Sequence, residues 1–468
     1  MVSSGLWFPR VASRLALTLF LLLPLAGARG QGSEIAGTMP EDHLPGLRAI
    51  LATAFERSPQ LIEAEYRRAE REARLLVEDA ARLPGVSGRL NYASNDTSIS
   101  STNSSQSRAT GFFYNLSVGQ PLFHWGALKN QSEIARIRLA IEQRKFDVAY
   151  RALAVVLRKA YLALIVEKAR LRHMRASLAL LRADLVVLAE RKQSGAVAAS
   201  QFDAEELRLR GIAIETERAE AEFAANRSRF ARLAGLADLP EADVPDDIPS
   251  PKVSPALATA LTATLLRDGA KSTLEYEIHE LAVQEALRRH KIEKVRLLPK
   301  FSAEAGLSLE NSTDVNGNAV NQQGIQRRTI SINANWNIFD GFATRGLTRD
   351  ALAARRLAER TLAARTEEIL RDAQILERSL KIDASEVELR DLHHGLAIQG
   401  RKRTAEEAAL GNLPQGDVDR AQLNIGQAEA AMLAARAVLL GRWSELVALA
   451  ADDPLLNTHS ARHAREKK

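Results

Sequence analysis

Residues 329–339 read Thr-Ile-Ser-Ile-Asn-Ala-Asn-Trp-Asn-Ile-Phe. Ile330, Ile332, Ala334, Trp336 and Ile338 alternate with Thr329, Ser331, Asn333, Asn335 and Asn337. Successive side chains of a strand point to opposite faces, so the run predicts a β-strand that is apolar on one side and polar on the other. Residues 301–310 repeat the pattern: Phe301, Ala303, Ala305, Leu307 and Leu309 against Ser302, Glu304, Gly306, Ser308 and Glu310. Phe112, Tyr114, Leu116 and Val118 form a third such face, and Val86, Gly88, Leu90 and Tyr92 a weaker fourth.

Alternation alone also fits a half-buried strand of a soluble sheet. Two features favour a membrane barrel. The segments between the runs, Asn95 to Ser107 and Asn311 to Gln323, are very polar, and Asn and Ser on the second face suit a watery lumen. No later segment offers about 18 uncharged apolar residues, so a chain entering a membrane must do so as a closed barrel, which leaves no backbone group unpaired in lipid. Four strands cannot close a barrel, because about eight or more are needed. Several copies must share one; a trimer supplies twelve strands.

Outward from the strands, the chain is written twice. Phe123 and Phe339, Gly195 and Gly411, and Asp203 and Asp419 each lie 216 positions apart, and Leu83-Pro84 and Leu298-Pro299 lie 215 apart. Each copy runs leading helix, Leu-Pro stop, two strands, then a long helical hairpin turning at Gly195 or Gly411. The expected divisions are a signal peptide at 1–28, a first repeat at 29–238 (strands about 85–95 and 111–123, hairpin about 127–235), a Pro-rich extended linker at 239–255, a second repeat at 256–450 (strands about 300–310 and 328–339, hairpin about 343–450) and a polar tail at 451–468. Leading helices are expected at about 44–82 and 255–297. From Leu128 to Ser194 the chain holds neither Pro nor Gly, which allows a helix on the order of 100 Å long. Leu171, Met174, Leu178, Leu181, Leu185 and Leu188 alternate in threes and fours, a coiled-coil seam that Leu389, Leu392 and Leu396 echo.

Arg10 and Arg14, the apolar run Leu15–Leu25 and Ala26-Gly27-Ala28 read as a secretory signal peptide cleaved after Ala28. The chain has no cysteine, which excludes disulfides, thiol catalysis and cysteine-held metal. Its net charge of +6 is spread among mixed charges along helices, a solvated surface rather than a nucleic-acid site. His393 and His394 are adjacent and point apart on a helix, so they form no metal pair. No phosphate loop, zinc motif or nucleophile elbow occurs. No catalytic residue, cofactor or metal is expected.

Ser58-Pro59-Gln60-Leu61, Gln120-Pro121-Leu122-Phe123, Trp336-Asn337-Ile338-Phe339-Asp340-Gly341 and the two glycine turns, in this order and duplicated, resemble the TolC-like outer-membrane efflux family over about residues 44–450. The resemblance implies a mainly α trimer with a shared twelve-stranded β-barrel and a long α-helical barrel. It implies a location in a Gram-negative outer membrane with a long periplasmic extension. The role is then the exit duct of a tripartite efflux or type I secretion system, with a periplasmic adaptor and an inner-membrane transporter as partners. In the family, acids after the second turn narrow the entrance, which points to Asp417 and, less directly, Asp419; the next family acid falls on Arg420 here, a departure. Asp417 could equally cap its helix. The turns receive the adaptor, which makes Gly195, Gly411 and Leu413 candidate docking positions. Pro414 and Gly416 have no counterpart in Ala196 to Ser200, so the two tips are expected to differ in shape. The competing reading is a periplasmic adaptor or structural coiled coil, which two hairpins and four amphipathic strands disfavour.

Overall fold

The computed structural model describes residues 38–99, 105–316 and 319–454. The signal peptide, the cleavage position after Ala28, Gly317 and residues 455–468 lie outside them. In chain order the helices are α1 (Pro40–His43), α2 (Pro45–Arg57), α3 (Pro59–Ala80), α4 (Ala127–Gln193), α5 (Ala199–Leu233), α6 (Pro255–Asp268), α7 (Leu274–Lys294), α8 (Ala343–Ala409) and α9 (Gln415–Leu449). The strands are β1 (Gly85–Ile99), β2 (Ser105–Phe123), β3 (Lys300–Asn316) and β4 (Ala319–Asn335).

The duplication is carried into the elements. α4 and α8 each span 67 residues, and α5 and α9 each span 35. Interhelical pairs repeat at the same spacing. Asn226 donates to Glu167 at 2.9 Å in the first hairpin, and Arg442 to Asp383 at 2.5 Å in the second, 216 positions on at both ends. Arg175 pairs with Glu220 at 2.8 Å and, again 216 positions on, Arg436 with Asp391 at 3.0 Å.

Several boundaries differ from those expected. Each leading helix is two. Ser58 is extended (φ −65°, ψ 128°), as a residue before proline prefers, and this divides α2 from α3. Left-handed Gly269 and Ala270 divide α6 from α7. The polar segments expected as long loops are strand as far as Ile99, from Ser105, to Asn316 and from Ala319, so backbone pairing runs well past the apolar band. β4 ends at Asn335, short of Phe339.

The strands form one antiparallel sheet in the order β1-β2-β3-β4. The helices stand beneath it in a layer. α4 packs on α3 and α5 along one flank and on α7 and α9 along the other, and α8 packs on α6, α7 and α9. One apolar cluster joins α2, α4, α5 and one face of α9 through Leu51, Leu157, Ile165, Phe230 and Leu433. A second joins α6, α8 and the other face of α9 through Leu265, Leu380, Leu439 and Trp443. Leu171 and Leu178 of the expected seam are buried. Leu389, Leu392 and Leu396 are not: they are 60%, 62% and 55% exposed, because the position 216 beyond Leu171 is Val387, and it is Val387 that is buried.

The Pro-rich segment is no free linker. Leu239, Val244 and Ile248 are buried in the first cluster, and Glu241–Asp243 form one 3-10 turn. Nor is all of 451–468 tail: Asp453 is 1% exposed and belongs to the core.

Candidate functional site

The register of the sheet collects every apolar run onto one face. Val86 faces Val118, Leu90 faces Tyr114 and Tyr92 faces Phe112. Tyr114 faces Leu309 and Leu116 faces Leu307. Ala303 faces Ile332 and Ala305 faces Ile330. In one chain this face has no cover: Ile330 is 91% and Ile332 75% exposed. The opposite face is polar, with Ser87 Oγ 2.8 Å from Ser117 Oγ and Asn333 Nδ2 donating to Glu304 at 3.3 Å. An apolar exterior of this height backed by a hydrogen-bonding interior is the wall of a membrane barrel. β1 and β4 are its open edges.

At the foot of the sheet stand exposed Phe123, Trp125, Trp336, Phe339 and Phe342. Phe123 stacks edge-on to Trp125 at 4.8 Å and Phe339 to Phe342 at 5.4 Å, and Trp125 Nε1 donates to the Pro299 carbonyl at 2.8 Å. Trp125 and Trp336 have the amphipathic rings that favour a membrane–water boundary. Trp125 (φ 55°) and Phe342 (φ 70°) hold the left-handed conformation beside Gly126 and Gly341, at roughly 1–2 kcal/mol each. The sequence analysis missed this junction; an aromatic beside a glycine in each copy was the available signal.

At the far end, α4 and α8 close alike. Gly195 (φ +77°) and Gly411 (φ +79°) are left-handed, and a Cβ at either would meet open space, so only the backbone angle demands glycine. Ala196 N–H donates to Arg191 O at 2.9 Å, and Asn412 N–H to Glu407 O at 3.0 Å, the same bond in both copies. Ala198 and Pro414 are both extended before the next helix. The expected difference in tip shape is therefore absent from the backbone and confined to side chains. Gly411 and Leu413 sit together in the second turn; Gly195 occupies the same place in the other.

Asp417 is not the cap of α9. Pro414 holds that position, no side-chain cap bond forms, and the Asp417 carboxylate accepts from Arg420 at 2.8 Å within the same helix. Asp419 corresponds to Asp203, which Lys192 pairs at 3.3 Å while stacking over Phe202 at 4.2 Å. The residue matching Lys192 is Ala408, and among the described residues Asp419 has no ion pair. The two candidate gate acids thus differ: one is neutralised locally and the other is not.

Between sheet and tips, the side chains of Arg158, Glu41 and Asp453 are 0%, 2% and 0% exposed. Arg158 donates to Glu41 at 2.9 and 2.5 Å and to Asp453 at 2.5 and 3.2 Å. Burial holds the Glu41 carboxyl above its ordinary range, even though Arg158 pulls it down. Trp443 Nε1 donates to Thr38 at 3.0 Å beside this cluster. These contacts seat the first described residues against the last turn of the fold. No sequence pattern announced them, because the partners lie 117 and 295 positions apart.

Among the described residues no helix is long and apolar enough to cross a membrane, and no group of His, Cys, Asp and Glu gathers that could hold a metal.

A one-sheet wall whose strands feed two giant hairpins is the architecture of outer-membrane channel proteins, and the solved structures agree. The Campylobacter jejuni CmeC outer membrane channel matches over 87% of this chain and 86% of its own, with a TM-score of 0.70 at 12% identity. The outer membrane protein VceC of Vibrio cholerae matches over 88% and 98%, with a TM-score of 0.66 at 14% identity. The Neisseria gonorrhoeae MtrE outer membrane channel, in its open state, matches over 87% and 89%, with a TM-score of 0.61 at 14% identity. Residues 50–236 match the family described as outer membrane efflux protein. A search of curated proteins finds no match. Over residues 50–236 the chain is thus similar to outer membrane efflux proteins, and over most of its length it has the fold of these channels.

Proposed function

We propose that three copies of this chain close head to tail into one tube that serves as the outer-membrane exit duct of an efflux or type I secretion system. The observation that carries this reading is that both layers are open on matching sides. One flank of the chain ends in β1, α3 and α5, and the other in β4 and α8. A rotation that pairs β4 with a neighbour's β1 also brings α8 against that neighbour's α3 and α5, so one operation closes barrel and helical tube together. Unpaired strand edges, 15 and 17 residues long in all and in lipid along their apolar band, supply the drive. An inner-membrane transporter would deliver cargo through a periplasmic adaptor docked at the turns around Gly195, Gly411 and Leu413.

Ile214 on α5 and Leu396 on α8 are both exposed and lie about 20 Å above their turns at 1.5 Å per residue. The chain has no cysteine. Ile214→Cys combined with Leu396→Cys is therefore expected to give an oxidation-dependent covalent ladder ending at the trimer. A trimer that forms but never cross-links would rule out this ring order.

Asp417 and Asp419 would narrow the entrance as carboxylate rings, which favour cations. Because Arg420 already balances Asp417, Asp419→Ala should lower cation selectivity, read as reversal potential in a planar bilayer, more than Asp417→Ala. Equal, wild-type selectivity in both variants would remove the gate role from this turn.

A further inference from the structure

The two hairpins are zipped at corresponding positions with opposite polarity. In the first the base lies on the long helix, Arg175 on α4 with Glu220 on α5; in the second it lies on the short one, Arg436 on α9 with Asp391 on α8. The hairpins meet where α4 and α9 lie side by side. There Lys159 and Arg172 of α4 pair with Glu445 and Glu429 of α9, the latter at 2.8 Å, while Arg175 turns to α5 and Arg436 to α8. Arg175 on one hairpin and Arg436 on the other both also reach the segment that joins the repeats.

The segment joining the repeats reaches both sides of this seam. Its backbone is held from both hairpins: Leu239 O accepts from Arg227 at 2.7 Å, Val244 O from Lys168 at 2.5 Å and Ile248 O from Arg436 at 2.7 Å. Its carboxylates meet basic residues of both hairpins in order. Glu241 lies 3.2 Å from Arg175, Asp246 3.1 Å from Lys168 and 3.6 Å from Arg172, and Asp247 3.7 Å from Arg436. Buried Leu239, Val244 and Ile248 anchor it from beneath, and Pro240, Pro245, Pro249 and Pro251 keep it extended without backbone donors to satisfy.

We propose that residues 239–254 are an electrostatic clasp across the α4–α9 seam, fixing the splay of the two hairpins at mid-height and so limiting how far their tips part. α4 runs on from Arg175 to Gln193, and α9 begins at Gln415, so levers of roughly 30 Å extend beyond the clasp. Asp246 and Asp247 are themselves exposed although Lys168 and Arg436 are largely covered, so salt should weaken these pairs. The functional consequence rests on the duct reading above; the clasp itself does not.

The test uses the full chain carrying Ser194→Cys and Leu410→Cys for spin labels at the tips. The label distances are measured with and without Glu241→Gln, Asp246→Asn and Asp247→Asn. The neutralised chain should show a longer and broader distance distribution at low salt. The wild-type distribution should move toward it at high salt. Conductance normalised to bulk should rise several-fold in the same variant. A chain carrying only Lys168→Cys and Asp246→Cys, bridged by a short bis-thiol reagent, should conduct like wild type and, unbridged, like the neutralised form. Superimposable tip distances in both chains would overturn the clasp. So would loss of the trimer, since exposed pairs on this segment are not assigned a role between copies. A wild-type chain that passes no current would instead sink the duct reading, while tip distances still decide the clasp.

Discussion

Arg158→Met should leave almost no heat-resistant trimer. The guanidinium is fully buried between two buried carboxylates, and it holds both through four hydrogen bonds. Methionine fills much of the volume but leaves Glu41 and Asp453 facing each other without a counter-charge. Breaking a buried ion pair by removing one partner costs about 3–5 kcal/mol, a large share of a typical domain's total stability. The loss falls where the segment around Glu41, the middle of α4 and the end beyond α9 meet, so three parts of the fold detach together. Glu41→Gln should behave very differently. Glu41 is the excess negative charge of the cluster, and burial raises its pKa above the ordinary 4.5. A raised carboxyl contributes stability that is fully present below that value and lost as pH rises through the folded value. Glutamine mimics the protonated form at every pH. The Gln variant should keep its trimer and lose the acid-side gain in melting temperature that wild type shows. Equal melting temperatures for Arg158→Met and wild type would mean that the cluster does not hold the fold.

The cluster also shows what the sequence could and could not disclose. Strands, long hairpins and turns are written locally, as a period of two, as runs without Pro or Gly, and as single glycines. Duplication then reinforced each local sign with a second copy. Arg158, Glu41 and Asp453 carry no such sign, since each is an ordinary charged residue until the chain ends come together. The Pro-rich segment is only half legible for a related reason. Proline density shows that a helix cannot continue, yet says nothing of Val244 and Ile248, which bury against a surface contributed by distant helices. Asp417 and Asp419 are legible as acids following a glycine turn, but the Arg420 pair and the lack of an ion pair at Asp419 among the described residues depend on helix phase and on Ala408 standing where Lys192 would be.

Ile382→Lys with Leu389→Lys should abolish the trimer while leaving the hairpin intact. α8 carries two apolar stripes of period seven. Ala373, Leu380 and Val387 are buried in the cluster shared with α9. Ile375, Ile382, Leu389 and Leu396 are 54%, 68%, 60% and 55% exposed. The stripes are offset by two residues, about 200° around a helix of 3.6 residues per turn, so they lie on nearly opposite sides. α5, on the other flank, repeats the arrangement: Thr216, Phe223 and Phe230 are buried, and Leu207 and Ile214, again offset by two, are 72% and 59% exposed. A helix with seams on both sides needs neighbours on both sides, and this chain covers only one of the two seams. The second must be another copy, edge helix to edge helix. Burying a leucine or isoleucine is worth about 1.5–3 kcal/mol, so two such positions at three interfaces amount to roughly 10 kcal/mol or more per trimer. Lysine forfeits that and adds a buried charge, whereas Leu380 and Val387 still pair α8 with α9. Sedimentation in detergent should find folded, helical monomers. Heat-resistant trimers at wild-type abundance would show that the exposed stripe faces something other than a sister chain.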